Sequence, residues 1–219
     1  MTAAEPRVSL LGTSALLFEA PGETDLRTQR RIWSLAREAE TWPEVCEAVP
    51  GVNNLLVSFT KPPRRLSGLT ERLAMAWQAA EPLPLAGRIF ELPVVYGGDG
   101  GPHMADVVAH TKLSVDEIVA IHSEPVYPVY ALGSHPGYCY LGGMDPRIAT
   151  PRRKVPIVRL PGGAVSIGGA QTGVSASDGP SGWNTIGTTS MRFFDVTLDP
   201  PALLQPGDGI VFKVAGIIR

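Results

Sequence analysis

Charge is scarce in this 219-residue chain: Asp, Glu, Lys and Arg make up 18% of it, and the formal net charge is −2. A nucleic-acid binder needs a basic stripe, whereas the arginines that cluster here do so only as isolated pairs, Arg30-Arg31, Arg64-Arg65 and Arg152-Arg153. That excludes a nucleic-acid footprint and a charged interaction tail. No apolar run approaches the roughly 20 residues a membrane helix needs. Met1 to Val8 is polar and acidic rather than basic and then apolar, so no signal peptide is expected and the expected compartment is the cytoplasm. Cysteine is nearly absent. Cys46 and Cys139 are the only two, which gives neither a zinc spacing nor a disulfide framework, and two free, buried thiols are expected. There is no His-Glu-x-x-His, no Gly-x-Ser-x-Gly elbow and no phosphate loop ending in Gly-Lys-Ser/Thr.

What is present is turn chemistry. Hydrophobic residues account for 44% of the chain, enough for a packed core, and 24 glycines and 21 prolines punctuate the apolar runs. This pattern implies many short strands.

Residues 1–84 alternate between strand and helix periodicity. Val8 to Leu11 and Ser14 to Glu19 read as strands around Gly12-Thr13. Thr24 or Asp25 caps a helix running to about Glu40, with Ile32, Leu35, Ala36 and Ala39 on one face. Val45 to Val49 and Asn54 to Phe59 flank a turn at Pro50-Gly51. A second helix runs from about Leu66 to Ala80, with Leu66, Leu69, Leu73, Trp77 and Ala80 on one face, and Glu81-Pro82 ends it. The expected product is a small α+β domain.

A boundary is expected at Pro82-Leu83-Pro84, with a second domain over 85–219. Arg88 to Tyr96 reads as a strand, followed by the break Gly97 to Gly101. Pro102 suits a first helical position. Ser114 and Glu117 form a capping box, flanked by the staple pair Leu113 and Ile118. On that helix His122 falls on the inward face near the C-terminus. Beyond Ser123 helical periodicity stops. Val126 to Leu132, Ala164 to Ile167 and Ile210 to Val214 are apolar runs between Gly/Pro turns, as in an all-β barrel or sandwich. Pro128 demotes its strand to an edge or marks a bulge. Pro206-Gly207-Asp208-Gly209 is a turn into the last strand.

Three segments carry candidate chemistry. Ala131 to Gly143 holds a Gly-flanked His135-Pro136-Gly137 turn beside Tyr138 and Tyr140, suited to a pocket for a small planar polar ligand; the plainer reading is a surface turn. In Val165 to Gly173, Gly168-Gly169 permits close backbone approach and Gln171-Thr172 offers an amide beside a hydroxyl for a carboxylate or amide; the plainer reading is a glycine-kinked bulge. In Pro180 to Gly187, Trp183 is either a cavity wall or a core plug. His122 is either a core histidine at a helix end or a proton-exchanging pocket residue. His103 and His110 are expected to face solvent, and their spacing is not that of a metal pair.

These segments carry a resemblance. Leu11 to Leu17, Glu47 to Val52, Leu92 to Gly98, Val107 to Thr111, Ile121 to Ser123, Tyr138 to Arg153, Gly168 to Gly173, Gly182-Trp183, Ile186-Gly187, Phe194-Asp195 and Pro201 to Asp208 occur in the order of a known family. The chain resembles the B subunit of bacterial 5-oxoprolinase, also called allophanate hydrolase subunit 1. That family is similar to an inhibitor of a sporulation histidine kinase and to one half of the carboxyltransferase region of urea carboxylase. The resemblance implies an N-terminal α+β domain followed by a cyclophilin-like β-barrel. It implies a second barrel-containing subunit as partner, sometimes fused, and a third subunit. In the oxoprolinase setting ATP, acting through the complex, activates the lactam of 5-oxoproline on its way to glutamate. In the urea-carboxylase setting carboxybiotin is handled, although this chain has no biotinyl-lysine motif. The sequence departs from the family pattern where Ser134 replaces Phe and where Gly187-Thr-Thr-Ser190 lacks an arginine.

The expectation carried forward is a subunit of an ATP-dependent, amide-processing hydrolase whose cavity a partner completes. His122, His135, Gly137, Tyr138, Tyr140, Arg152, Gln171, Thr172 and Trp183 are the candidate residues. Gln171-Thr172 would orient the amide or carboxylate, His122 or His135 would handle protons, and Arg152 would counter negative charge. No metal is expected. The alternative is a non-catalytic regulator that binds and inhibits a sensor histidine kinase.

Overall fold

The computed structural model describes residues 5–219. The chain divides into two compact units, one ending at Leu85 and the other starting at Ala86.

The N-terminal unit contains β1 (Arg7–Leu11), β2 (Ala15–Glu19), α1 (Leu26–Glu40), β3 (Val45–Pro50), β4 (Asn54–Phe59) and α2 (Leu66–Ala79). The strands form one antiparallel sheet in the order β1-β2-β4-β3. Alternate residues of the two central strands point one way, so Leu16, Phe18, Leu55, Val57 and Phe59 are buried against Ile32, Leu35, Ala36 and Ala39 of α1. Asp25 is the cap of α1, accepting from the Thr28 amide at 2.7 Å. On α2 the expected face is only partly covered: Leu69, Leu73 and Trp77 are buried, while Leu66 and Ala80 at its two ends are half-exposed. Arg31 closes the C-terminal end of α2. Its guanidinium lies 3.8 Å from the Trp77 ring centroid and donates to the carbonyls of Trp77, which also accepts from the Ala80 amide, and of Ala80 itself.

The C-terminal unit begins with β5 (Ile89–Gly97), a 3-10 turn at Gly98–Gly100, α3 (Met104–Thr111) and α4 (Val115–Ser123). The remaining elements are β6 (Val126–Leu132), β7 (Cys139–Leu141), a 3-10 turn at Pro146–Ile148, β8 (Ile157–Leu160), β9 (Ala164–Gly168), β10 (Gln171–Val174), β11 (Gly179–Ser181), β12 (Asn184–Thr188) and β13 (Gly209–Ile218). Seven strands close a barrel in the order β10-β7-β6-β13-β5-β12-β9, and β8 pairs with β11 as a separate ribbon. The α+β class and the barrel agree with the sequence reading. Closure comes from a pairing that reading did not contain: β5 and β13 run parallel from Ile89–Gly209 to Gly97–Ile218. The turn before β13 is tied to the start of β5 by the buried Asp208 carboxylate, which accepts from the Arg88 and Gln205 amides and from the Arg88 side chain.

Local expectations were corrected in three places, and the alternatives left open at Pro128 were resolved. Pro102 precedes α3 by two residues, and His103 stands at its N-cap. His103 does not face solvent. It is buried, and its Nδ1 accepts from the Thr185 amide at 2.9 Å while its own amide donates back to Thr185. Pro128 does not make β6 an edge. That strand lies between β7 and β13, and its irregularity is a bulge at Val129–Ala131, next to the proline. Of the two free thiols only Cys139 is buried; Cys46 is exposed, because it sits where β3 bulges against β4.

The Ser114 capping box is present in both directions. Ser114 Oγ accepts from the Glu117 amide at 3.2 Å, and the Glu117 carboxylate accepts from the Ser114 amide at 2.7 Å. Leu113 and Ile118 both pack into the barrel core. Ser114→Ala is expected to lower stability by about 1 kcal/mol, measured as a shift in urea unfolding followed by far-UV circular dichroism.

Candidate functional site

The barrel wall formed by β7, β10 and β9 has two faces with different chemistry. Along β10, Thr172 and Val174 are buried inward, while Gly173 lies on the outer face opposite Tyr140 of β7. At Gly168 and Gly173 the outer face carries no side chain, so aromatic rings lie on the backbone itself. A Cβ at Gly168 would fall 2.4–2.5 Å from the Trp183 indole, and one at Gly173 would fall 3.0 Å from the Tyr138 hydroxyl. At Gly168 only glycine accommodates the indole, and at Gly173 a side chain would press on the Tyr138 hydroxyl.

Above this floor is a cavity of about 350 Å³, within the size range of small-molecule sites. Tyr138 is its centre. Its ring meets Tyr140 edge-on at 4.9 Å, Trp183 at 6.4 Å and the His135 imidazole at 5.0 Å. Arg152 stands 5.7 Å from the Trp183 ring, and Arg153 completes that side. The segment bearing both arginines is fixed by backbone. Thr150 and Gly169 exchange two hydrogen bonds, the Arg153 amide donates to Gly182 at 2.7 Å, and Asn184 Nδ2 donates to Pro151 at 2.9 Å. The Arg153 side chain pairs with Asp106 of α3 at 3.0 Å. Burial lowers the pKa of His135 below its ordinary value and raises that of Tyr138, which its neighbours Tyr140 and Cys139 push further up and Arg152 offsets in part. Both side chains are therefore neutral near pH 7.

This set of groups can hold a small, flat, polar ligand between aromatic rings. It offers cationic and neutral nitrogen partners, and no acidic residue lines it. Among the described residues no serine is hydrogen-bonded to a histidine, and no three His, Cys, Asp or Glu side chains converge as for a metal. A second cavity of about 420 Å³, in the N-terminal unit, is lined by Glu44, Arg64, Arg65 and Arg72. It has no aromatic wall and no histidine.

A family model described as carboxyltransferase domain, subdomain C and D, matches residues 6–204. A relative from Escherichia coli O157:H7, named as the B subunit of 5-oxoprolinase, is 43% identical over 206 residues, covering 94% of each chain. The chain belongs to the 5-oxoprolinase B-subunit family. Among solved structures, TTHA0988 superposes with a TM-score of 0.76 at 32% identity, over 92% of this chain but 39% of that one. The Kluyveromyces lactis urea amidolyase gives a TM-score of 0.81 at 19% identity over 96% of this chain and 15% of its own, which shows the shared fold alone.

In this member of the 5-oxoprolinase B-subunit family, the candidates His135, Tyr138, Tyr140, Arg152 and Trp183 line one cavity. Four candidates do not line it. Gly137 is buried at a positive φ, with its backbone against Phe193 and Phe194. Gln171 is half-buried at the start of β10, outside the lining. Thr172 and His122 are inside the barrel, both fully buried. Thr172 Oγ1 donates to the Ser166 carbonyl at 3.1 Å, so it accepts from His122 Nε2 at 2.8 Å. His122 Nδ1 then accepts from the Tyr96 hydroxyl at 2.8 Å. Phe212, Tyr127 and Tyr96 surround the ring. Burial pushes the pKa of His122 down to about 3 and that of Tyr96 up, which fits a neutral imidazole with both nitrogens already paired. His122 is a core histidine, and the placement of His122 and Thr172 in the cavity is corrected. The close approach expected at Gly168 is real, but it is made by Trp183. Arg153 was missed as a lining residue; its only sequence signal was the pair Arg152-Arg153.

Two outcomes follow. An unfolded histidine takes up a proton near pH 6.5, whereas folded His122 remains neutral down to about 3, so protonation favours the unfolded chain across that window. Its contribution is fully present above pH 6.5 and falls as pH drops toward 3, by about 1.4 kcal/mol per pH unit. His122→Gln should remove that component, seen as a shallower pH dependence of urea unfolding than in the wild type. Gly168→Val should expel the indole from the outer wall, giving red-shifted tryptophan emission that is absent in a Trp183→Phe background.

Proposed function

We propose that this chain acts as the B subunit of a heteromeric, ATP-dependent 5-oxoprolinase, converting 5-oxoproline to glutamate together with a second barrel-containing subunit and a third subunit. The observation that carries the reading is the 43% identity, over 94% of each chain, to a protein of that name. The cavity supports it. A five-membered lactam is flat enough to lie between Tyr138, Tyr140 and Trp183, and its carboxylate suits Arg152. An open cavity with no nucleophile and base in contact is one that a partner's residues would complete. TTHA0988 is consistent with such a partner, since three fifths of that chain lies beyond the part this one matches.

The chain's own residues would bind and orient the lactam and exclude water from one of its faces. Neutral His135 is the proton-handling candidate, since it is the one histidine in the lining. ATP would be used through the complex, because the lining has no helix N-terminus or glycine loop to cradle phosphates. Biotin, if the complex used it, would be carried on another chain. The compartment would be the cytoplasm.

The test is to express the chain with its neighbouring subunits, purify the complex and assay ATP-dependent glutamate release from 5-oxoproline. Release that depends on this chain is expected. Trp183→Ala should cut turnover at least about tenfold with assembly intact, whereas Gln171→Ala, outside the lining, should leave it unchanged. A stoichiometric complex that releases no glutamate would move the reading to another amide. Capture of a sensor histidine kinase in place of a second barrel chain would favour the regulator.

A further inference from the structure

Two polar atoms in the cavity lining are buried without a hydrogen-bond partner, His135 Nε2 and Arg153 Nε. Folded proteins keep few such groups, because a buried donor or acceptor that has given up water needs a replacement. Both side chains line the same cavity, from which a bound ligand would supply the missing partners.

The charge arrangement narrows what that ligand is. Arg153 is held from two sides, by its amide on Gly182 and by Nη1 on Asp106 Oδ2 at 3.0 Å. Asp106 takes one edge of the guanidinium and cancels its charge, and the Nε–H remains. Beside it, Arg152 faces Trp183 and has no carboxylate partner among the described residues. No Asp or Glu lines the cavity. The site therefore presents one uncompensated positive charge, on Arg152, beside the Asp106-paired guanidinium of Arg153. That matches a single carboxylate and undermatches a phosphate dianion or a nucleotide. His135, kept neutral by burial, pairs through Nε2 with an amide, which has both a donor and an acceptor to offer.

We propose that Arg152 and Arg153 form a carboxylate subsite, positioned by Asp106, and that the cavity selects singly charged, carboxylate-bearing amides over neutral amides of the same shape. This rests on the oxoprolinase reading for the identity of the amide, and on the geometry for the carboxylate. Arg153 is assigned here as a specificity-determining residue. Asp106 is a positioning residue, since it touches the guanidinium and does not line the cavity.

The test is calorimetric titration of the co-purified complex with 5-oxoproline and with 2-pyrrolidinone, the same ring without the carboxylate. The wild type is expected to prefer 5-oxoproline by about tenfold or more. Arg153→Gln should bring the two affinities to within about twofold, chiefly by weakening 5-oxoproline. Arg153→Lys keeps a charge for Asp106 but lacks the Nε–H, and it should lose preference as well, which separates recognition from folding. Asp106→Asn should weaken 5-oxoproline and Asp106→Glu should restore it. Equal affinities in the wild type, no binding of either ligand, or a preference retained in Arg153→Gln would each overturn the subsite. The oxoprolinase reading fails separately: a complex that binds 5-oxoproline through these arginines and releases no glutamate keeps the subsite and loses the activity, whereas glutamate release with unchanged KM in Arg153→Gln does the reverse.

Discussion

Everything in the C-terminal unit depends on β5 lying parallel to β13. These are the first and last strands of the unit, and they pair from Ile89 with Gly209 to Gly97 with Ile218. A parallel pair cannot be made by a hairpin, so the intervening chain, with two helices and the rest of the barrel, is the connection. Closure satisfies the backbone along both strands and removes the sheet edges that would otherwise recruit other chains. The buried Asp208 carboxylate holds the entry to β13 against Arg88 at the start of β5. Without that closure the wall β7-β10-β9 would not have a distinct inside and outside.

That wall explains how one short stretch serves two purposes. Strand side chains alternate between faces, so adjacent residues of β10 have different surroundings. Thr172 faces inward and locks His122 in a chain of hydrogen bonds from Tyr96 to the Ser166 carbonyl. Gly173 faces outward, where Tyr138 and Trp183 cover the backbone. The interior network is fully paired and surrounded by aromatic rings, as a buried polar cluster must be to avoid a penalty. The exterior cavity is the opposite: polar atoms there lack partners, its arginines are set by backbone hydrogen bonds, and the rings leave room for a ligand. Within the C-terminal unit, satisfied polar groups inside the barrel contrast with unsatisfied ones in the cavity; the other buried unpaired atom among the described residues, Asn53 Oδ1, lies in the N-terminal unit.

Much of the local structure was legible in the sequence, for reasons that are themselves local. Asp25 before an apolar face at helical spacing, and Ser114 three residues before Glu117, set their helix starts through contacts within one turn. The strands of the N-terminal sheet follow from alternation and from turns such as Pro50-Gly51. The segments around Tyr138 and Trp183 could be marked as unusual because glycines beside aromatic and polar residues have few ordinary uses. His122 could be placed on the inward face of α4 from spacing alone.

What spacing could not give was where those faces lead. The inward face of α4 meets β10 and β13 only after the barrel closes, and it is this packing that makes His122 a neutral core residue. Gln171 and Thr172 are neighbours in sequence, and strand alternation sends them to opposite faces. Arg152 and Arg153 look alike as a basic pair; Asp106, forty-seven residues away, neutralises one and leaves the other free. The sequence by itself determined the α+β class, the caps at Asp25 and Ser114, the family and the segments that carry the candidate site. Tertiary structure alone decided the parallel closure, the face on which each candidate side chain lies and which polar atoms stay without a partner, because each of these depends on contacts between residues far apart in the chain.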